Sequence, residues 1–323
     1  MGLGLDLTYR TVDYVFQLVH SDRGRKSLRA VKFFETAPIE RIVEVGREPP
    51  DRHGTPADLI RLSRLHPWDP SQIDFASDRS GWRQISHWHR GLLSGIFRLF
   101  FLGDSDVTRW LEPIATGAPE PDEREYFSLQ QEEEDRHRQF FKLVLQEVLD
   151  IRGNQAQLER RLRWRAIPSF NRSFAELGKA VGQLQDCRTL EQWVEAVTVY
   201  HMVAEAMVAN RGTLVVEAIL KLERYRGRNL LPGFMYGFDL VSAEESRHIS
   251  GAVMALRRRI HERPELARVM LTTLARMAKP ASGTNLPWLP KFPQLAQHMH
   301  RRLESSIGIT PEATTILTAL YPA

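Results

Sequence analysis

The sequence predicts an all-α protein built around a bundle of long helices, and three observations carry that reading. From Trp82 onward, apolar residues recur at three- and four-residue spacing, in stretches of ~25 to 35 residues that exceed the usual globular helix. Short Gly, Pro or Asn punctuation separates these stretches. No run alternates apolar and polar residues for long enough to suggest a sheet strand.

In chain order, the first part is broken by Pro38, Pro49-Pro50, Pro56, Pro67 and Pro70. It reads as a wrapping arm over 1–80 with two short helical patterns, Ser27 to Phe34 and Pro56 to Leu65. Bundle helices follow near 83–116, 122–151, 172–184, 189–225 and 230–261. A helical tail occupies 264–323, interrupted by a loop from Lys279 to Pro287. The whole of 1–323 is read as one domain whose metal-binding bundle spans 83–261, since the 323 residues fit one elaborated domain.

Composition narrows the chemistry. Hydrophobic residues make up 42% and charged residues 26%, ordinary globular usage that disfavours disordered and fibrous classes. Cys187 is the only cysteine, which excludes an internal disulfide and a multi-thiolate zinc site. Any metal must use nitrogen and oxygen ligands, which 40 acids and 11 histidines can supply. The net charge of +4 is spread. Arg160-Arg161-Leu162-Arg163 and Arg257-Arg258-Arg259 read as solvated helix faces, and no nucleic-acid partner is expected. Met1 to Asp6 lacks a basic signal-type start. The longest apolar stretch, Leu92 to Leu102, is about half a membrane span and contains Arg98. A cytoplasmic protein with no membrane span is the expectation.

One repeated pattern points to function. In the helix near 122–151 the inward trace runs Phe127, Gln130, Glu134, His137, Phe141, Val144 and Val148. In the helix near 230–261 it runs Phe238, Val241, Glu245, His248, Ala252 and Ala255. Each places a Glu-x-x-His pair in the middle of an apolar stripe, its members one turn apart on one face. A single such pair arises by chance roughly once in a chain like this. Two, both on apolar stripes, need an explanation. Each buried carboxylate costs several kcal/mol unless compensated, and a pair of divalent cations compensates both. Imidazole and carboxylate suit Fe, Mn or Zn.

The ferritin-like four-helix bundle uses this set together with one carboxylate from each of two further helices. In the apolar helix near 189–225 the interior acid is Glu205. Near 83–116 the candidates are Asp104, Asp106 and Glu112, and helical phase from Phe97 through Phe101 favours Asp104. Phe100, Phe101, Phe127, Phe140 and Met207 are candidates for lining a substrate channel, although such residues usually form core.

Together, Gly103-Asp104-Ser105-Asp106-Val107-Thr108, Glu134-Asp135-Arg136-His137, Tyr200-His201-Met202-Val203-Ala204-Glu205 and Glu244-Glu245-Ser246-Arg247-His248 resemble the ribonucleotide reductase small-subunit superfamily. The stretch Trp68 to Asp78 looks like its N-terminal signature. Within that superfamily the chain is most similar to the ligand-binding oxidases. The resemblance implies a manganese/iron or di-iron pair, with dioxygen as oxidant. Asp104, Glu134 and His137 would hold one metal, and Glu205, Glu245 and His248 the other, with Glu134 and Glu245 bridging. It also implies a long-chain, fatty-acid-like ligand, an unidentified electron donor, a homodimer, and a crosslink between Tyr200 and Val107.

Two-electron oxidation of the hydrophobic ligand, or of the chain's own Tyr and Val, is the expected reaction. Phe141 occupies the place of the reductase radical tyrosine, so a reductase small subunit lacking that tyrosine is the alternative. Asp104 departs from the oxidase pattern, where this ligand is usually Glu. Glu244 occupies a place that is acidic in the family, as a partner for a ligand His. Tyr200 lies five residues before Glu205, about 140° away on an α-helix, so its role is implied by the resemblance alone.

Overall fold

Four long helical runs, each carrying one element of the predicted constellation, pack side by side in the computed structural model, which describes residues 25–46, 54–164, 166, 168–186, 189–225, 228–282 and 293–321. They are α4 (His87–Gly117), α5 (Pro121–Leu143), a composite of α8 (Leu190–Val197), a π-helical segment (Thr198–Ala209) and α9 (Asn210–Tyr225), and α10 (Pro232–Glu262). No strand occurs among the described residues. Val43 and Ile309 form an isolated antiparallel bridge.

Side-chain pairings fix the directions. Gln131 of α5 donates to the Thr108 carbonyl at 3.0 Å while Phe100 stacks on Phe141 at 4.8 Å, so α4 and α5 are antiparallel. His137 meets Glu244 and Glu133 meets His248, so α5 and α10 are antiparallel too. Trp193 donates to the Ile114 carbonyl at 2.9 Å and Trp110 meets Tyr200, which sets the composite helix against α4. The composite therefore runs parallel to α5, and this requires a long crossover. That crossover carries α6 (Gln155–Trp164) and α7 (Pro168–Asp186). The sequence reading expected one helix there, 172–184, and missed α6.

The predicted stripes are the buried faces. Phe127, Gln130, Glu134, His137, Phe141, Val144 and Val148 are all buried, as are Phe238, Val241, His248, Ala252 and Ala255. Other expectations change. The helix expected from 83 is two, α3 (Ala76–Gln84) and α4, separated where Ser86 caps α4. The helix expected over 122–151 ends in a π turn, Val144–Val148. The tail helix α11 (Leu266–Ser282) runs into the expected loop, whose remainder lies outside the described residues, as do Cys187 and Met1 to Asp6. Arg259 is not on a solvated face. It is buried against Glu123 at 2.9 Å. Arg163 bonds Asp106 at 2.8 Å.

The arm grips the bundle through specific contacts. Helix α1 (25–36) packs on α11, with Ser27 donating to the Ala275 carbonyl and Arg268 donating to the Phe34 and Ala37 carbonyls. Helix α2 (Pro56–Leu65) starts at a capping box between Thr55 and Asp58 and brings Ser63 to α5. The Trp68 to Asp78 signature has a structural role. Asp78, fully buried, accepts from the amides of Gly233 and Phe234 at 2.9 and 2.7 Å, satisfying the first free donors of α10. The approach is so close that a Cβ at Gly81 would lie 1.6 Å from the Leu230 carbonyl oxygen. The tail ends in α12 (Pro293–Arg301) and α13 (Pro311–Thr318). Among the described residues, no helix is long and apolar enough to cross a membrane.

Candidate metal centre

The two Glu-x-x-His pairs face each other across α5 and α10 at the middle of the bundle. His137 and His248 are fully buried, with ring centroids 5.7 Å apart. Glu134 lies between them. Its Oε2 is 3.3 Å from His137 Nδ1, and its Oε1 is 3.0 Å from His248 Nδ1. Glu245 reaches His137 Nδ1 at 3.5 Å, and Glu205 reaches His248 Nδ1 at 3.7 Å. Ligand-type atoms of Glu134, Glu205, Glu245 and His248 all lie within 4.8 Å of one another, an arrangement that could hold a metal ion.

Asp104 faces the same space, lining one cavity with Glu134, Glu205 and Glu245. Its competitors point elsewhere, Asp106 to Arg163 and Arg109 and Glu112 to solvent. All six residues expected from the sequence thus converge.

The donor atoms fit a metal pair. Asp104 Oδ2, Glu205 Oε2, Glu245 Oε2, His137 Nδ1 and His248 Nδ1 are buried and have no aligned hydrogen-bond partner. Such bare atoms are rare unless an ion or water meets them. Four carboxylates also match the charge of two divalent cations when both imidazoles are neutral. In the absence of cations, protons must do that work. Burial, then the charge of Glu134, pushes the Asp104 carboxyl well above its ordinary range. Burial, then Glu245, does the same to Glu205. Burial alone would lower the two imidazoles, but the charge of the nearby Glu134, the bond to Glu244 and the approach of Glu245 hold His137 well above the usual value. The bond to Glu133 and the nearby Glu134 do the same for His248.

A second ring of residues supports the first, and the sequence reading found only part of it. His137 Nε2 meets Glu244 Oε2 at 2.9 Å, as expected for Glu244, and His248 Nε2 meets Glu133 Oε2 at 2.8 Å. The support is crossed, each helix orienting the histidine of the other. Arg136 donates to Glu244 at 2.7 Å and Arg247 to Glu133 at 3.0 Å. An ionised carboxylate on Nε2 keeps the proton there and turns the Nδ1 lone pair toward the metal space. The signal was available: Glu133-Glu134-Asp135-Arg136-His137 and Glu244-Glu245-Ser246-Arg247-His248 share five-residue spacing, with Glu-Glu-x-Arg-His in both.

Tyr200 is where α-helical geometry fails. Its hydroxyl donates to Glu134 Oε1 at 3.0 Å. A π-helix bonds residue i to i+5, so within Thr198–Ala209 residues five apart share a face, and Tyr200 and Glu205 both look into the site. Val107 and Tyr200 line the same cavity of about 110 Å³. Its walls include Ile96, Leu99, Phe100, Phe174, Val208 and Val215. Of the expected channel residues, Phe100 lines it. Phe101, Phe127, Phe140 and Met207 are core instead, because their stripes face neighbouring helices. Phe141 is core too, stacked on Phe100.

The sequence model of the family described as ribonucleotide reductase, small chain, matches residues 64–279. The chain belongs to that family. Among solved structures, the R2-like ligand-binding oxidase from Sulfolobus acidocaldarius is similar at 20% identity, with 82% of this chain and 90% of that chain covered and a TM-score of 0.62. A single-site variant of an R2-like ligand-binding oxidase with anaerobically reconstituted Mn/Fe cofactor matches at 20% identity, covering 72% and 84%, with a TM-score of 0.61. A second such variant matches at 18% identity, covering 84% and 95%, with a TM-score of 0.62. At these identities the likeness establishes the shared ferritin-like fold. This small-chain family member carries phenylalanine at 141 and a tyrosine, Tyr200, bonded directly to Glu134.

Proposed function

We propose that the chain is an oxygen-activating dinuclear metal oxidase of the ligand-binding type. The observation that carries this reading is the convergence of six ligand-type residues, five with a bare buried donor atom, four of the six lining an apolar cavity. Asp104, Glu134 and His137 would hold one metal and Glu205, Glu245 and His248 the other, with Glu134 and Glu245 shared. Manganese with iron, the pair carried by the solved oxidase variants, or two irons, suits this donor set.

When bound, the metals supply the redox chemistry that activates dioxygen against an unreactive C–H bond. The protein supplies the rest. Glu133 and Glu244 orient the imidazoles, and the cavity wall keeps water away from the reacting end. Its apolar lining suits a fatty-acid-like ligand with its oxidisable carbons near Asp104 and Glu205. Tyr200 and Val107 offer an internal substrate. A bond from the Tyr200 phenol oxygen to a Val107 side-chain carbon would replace one O–H and one C–H bond, releasing two protons and two electrons that reduce dioxygen to the level of hydrogen peroxide. We read residues 1–323 as one domain acting as a cytoplasmic homodimer with a separate electron donor.

The test is anaerobic loading with Mn(II) and Fe(II), oxygen exposure and peptide mass spectrometry. A joined Val107–Tyr200 peptide two hydrogens lighter than its parts is expected. Metal-loaded protein that consumes no oxygen would sink the oxidase reading. The family match and Phe141 favour one second reading, a reductase small subunit without the radical tyrosine. It would be supported by binding to a large catalytic subunit with restored nucleotide reduction.

A further inference from the structure

The two halves of the centre are matched on α5 and α10 but not on the helices that supply Asp104 and Glu205. One turn before Glu134 stands Gln130, and the same step before Glu245 reaches Val241. Four residues before Glu205 stands His201, and four before Asp104 stands Phe100. The Glu205 half therefore has a polar pair where the Asp104 half has an apolar one.

That polar pair is fully buried and connected. Gln130 Nε2 donates to Glu205 Oε1 at 2.8 Å. Gln130 Oε1 lies 3.0 Å from His201 Nε2, and His201 Nδ1 lies 3.1 Å from the Val197 carbonyl. A carboxylate only accepts, so an ionised Glu205 turns the amide nitrogen of Gln130 toward itself, and the amide oxygen must then face His201. His201 meets it with Nε2–H. Burial drives its pKa down to about 3, so the ring is neutral. With its one proton on Nε2, the neutral ring has none for the Val197 carbonyl, so the chain is His201–Gln130–Glu205; it occupies one oxygen of Glu205 and leaves Oε2 bare. Asp104 has no such tether: its Oδ2 is bare, and among the described residues no side chain bonds its carboxylate, the Thr108 hydroxyl donating to its backbone carbonyl instead.

We propose that Gln130, held in orientation by His201, is a positioning residue that fixes Glu205 as a one-oxygen ligand and so makes the two metal positions inequivalent. The position beside Glu205 and His248 is the rigid one. The position beside Asp104 and His137 keeps a carboxylate free to swing and give way to an incoming group. This inference rests on the dinuclear reading above and adds a division of labour within it.

The test is a titration of the metal-free protein with Mn(II) alone, read by electron paramagnetic resonance and by metal content. Wild type should fill in two resolved steps. Gln130→Leu, a near-isosteric change, should weaken one step by about 10–100-fold, as loss of an outer-shell partner does, while the other stays within about threefold. His201→Phe should act in the same direction, and His201→Gln, which keeps a donor for Gln130, should restore the wild-type pattern. Two wild-type steps left unchanged by Gln130→Leu, or weakened together, would overturn the clamp and leave the dinuclear reading intact. A wild-type protein that takes up no metal would overturn both.

Discussion

Helices α5 and α10 present the same five-residue pattern to each other, whereas α4 and the π-helical segment present different ones. The matched pair supplies Glu134, His137, Glu245 and His248 and their crossed supports, Glu244 with Arg136 and Glu133 with Arg247. The unmatched pair supplies a short acid, Asp104, without a tether and a long one, Glu205, tied to Gln130. Symmetry builds a cavity for two cations, and the departure from symmetry gives them different surroundings. One further difference lies outside both pairs. Ser63 of α2 donates to Glu133 and has no counterpart on Glu244 among the described residues.

The comparison breaks most completely at Glu134, which touches both histidines. Glu134→Ala should abolish metal uptake at both positions, measured as metal per chain after loading and desalting. Retention of one full equivalent would contradict its shared role. Next come the crossed supports. Glu133→Gln should weaken the metal beside His248, and Glu244→Gln the metal beside His137, each by about 10–100-fold. Anomalous diffraction from the loaded variants reads which position empties, and an uncrossed pattern would refute the connectivity.

A smaller effect concerns protons. The imidazoles are held above their ordinary value and the Asp104 and Glu205 carboxyls above theirs. At neutral pH the metal-free site therefore carries protons that cations must displace. Metal affinity should fall as pH drops, and calorimetry in buffers of different ionisation enthalpy should register proton release. Smallest for the centre is Asp78→Ala. It unties the start of α10 at a cost of about 1–3 kcal/mol, read as a lower Tm, while metal stoichiometry stays unchanged.

Much of this was legible in the sequence because a helix repeats its surface every three to four residues. Glu134, His137 and His248 fell on apolar stripes that the structure buries, and phase leaned only slightly toward Asp104 over Asp106, the family resemblance supplying the rest. What periodicity missed shares a cause. Reading Thr198–Ala209 at 100° per residue turns Tyr200 away from Glu205, and the π-helical bonding turns it back. Glu133 and Gln130 are buried polar residues whose meaning depends on the helix they meet, His248 for one and Glu205 for the other. Helix α6 was hidden because its arginines read as surface charge, although Leu158 and Leu162 anchor it. Asp78 gave no local sign that it caps a helix 155 residues away.

The central claim is that two metals occupy the space between Asp104 with His137 and Glu205 with His248. A crystal of protein loaded anaerobically with Mn(II) and Fe(II), measured on both sides of each absorption edge, tests it most directly. The account predicts two anomalous peaks bridged by Glu134 and Glu245, each facing one imidazole Nδ1. A loaded crystal with no peak among these six side chains, or with a single peak coordinated by only one of the histidines, would contradict it.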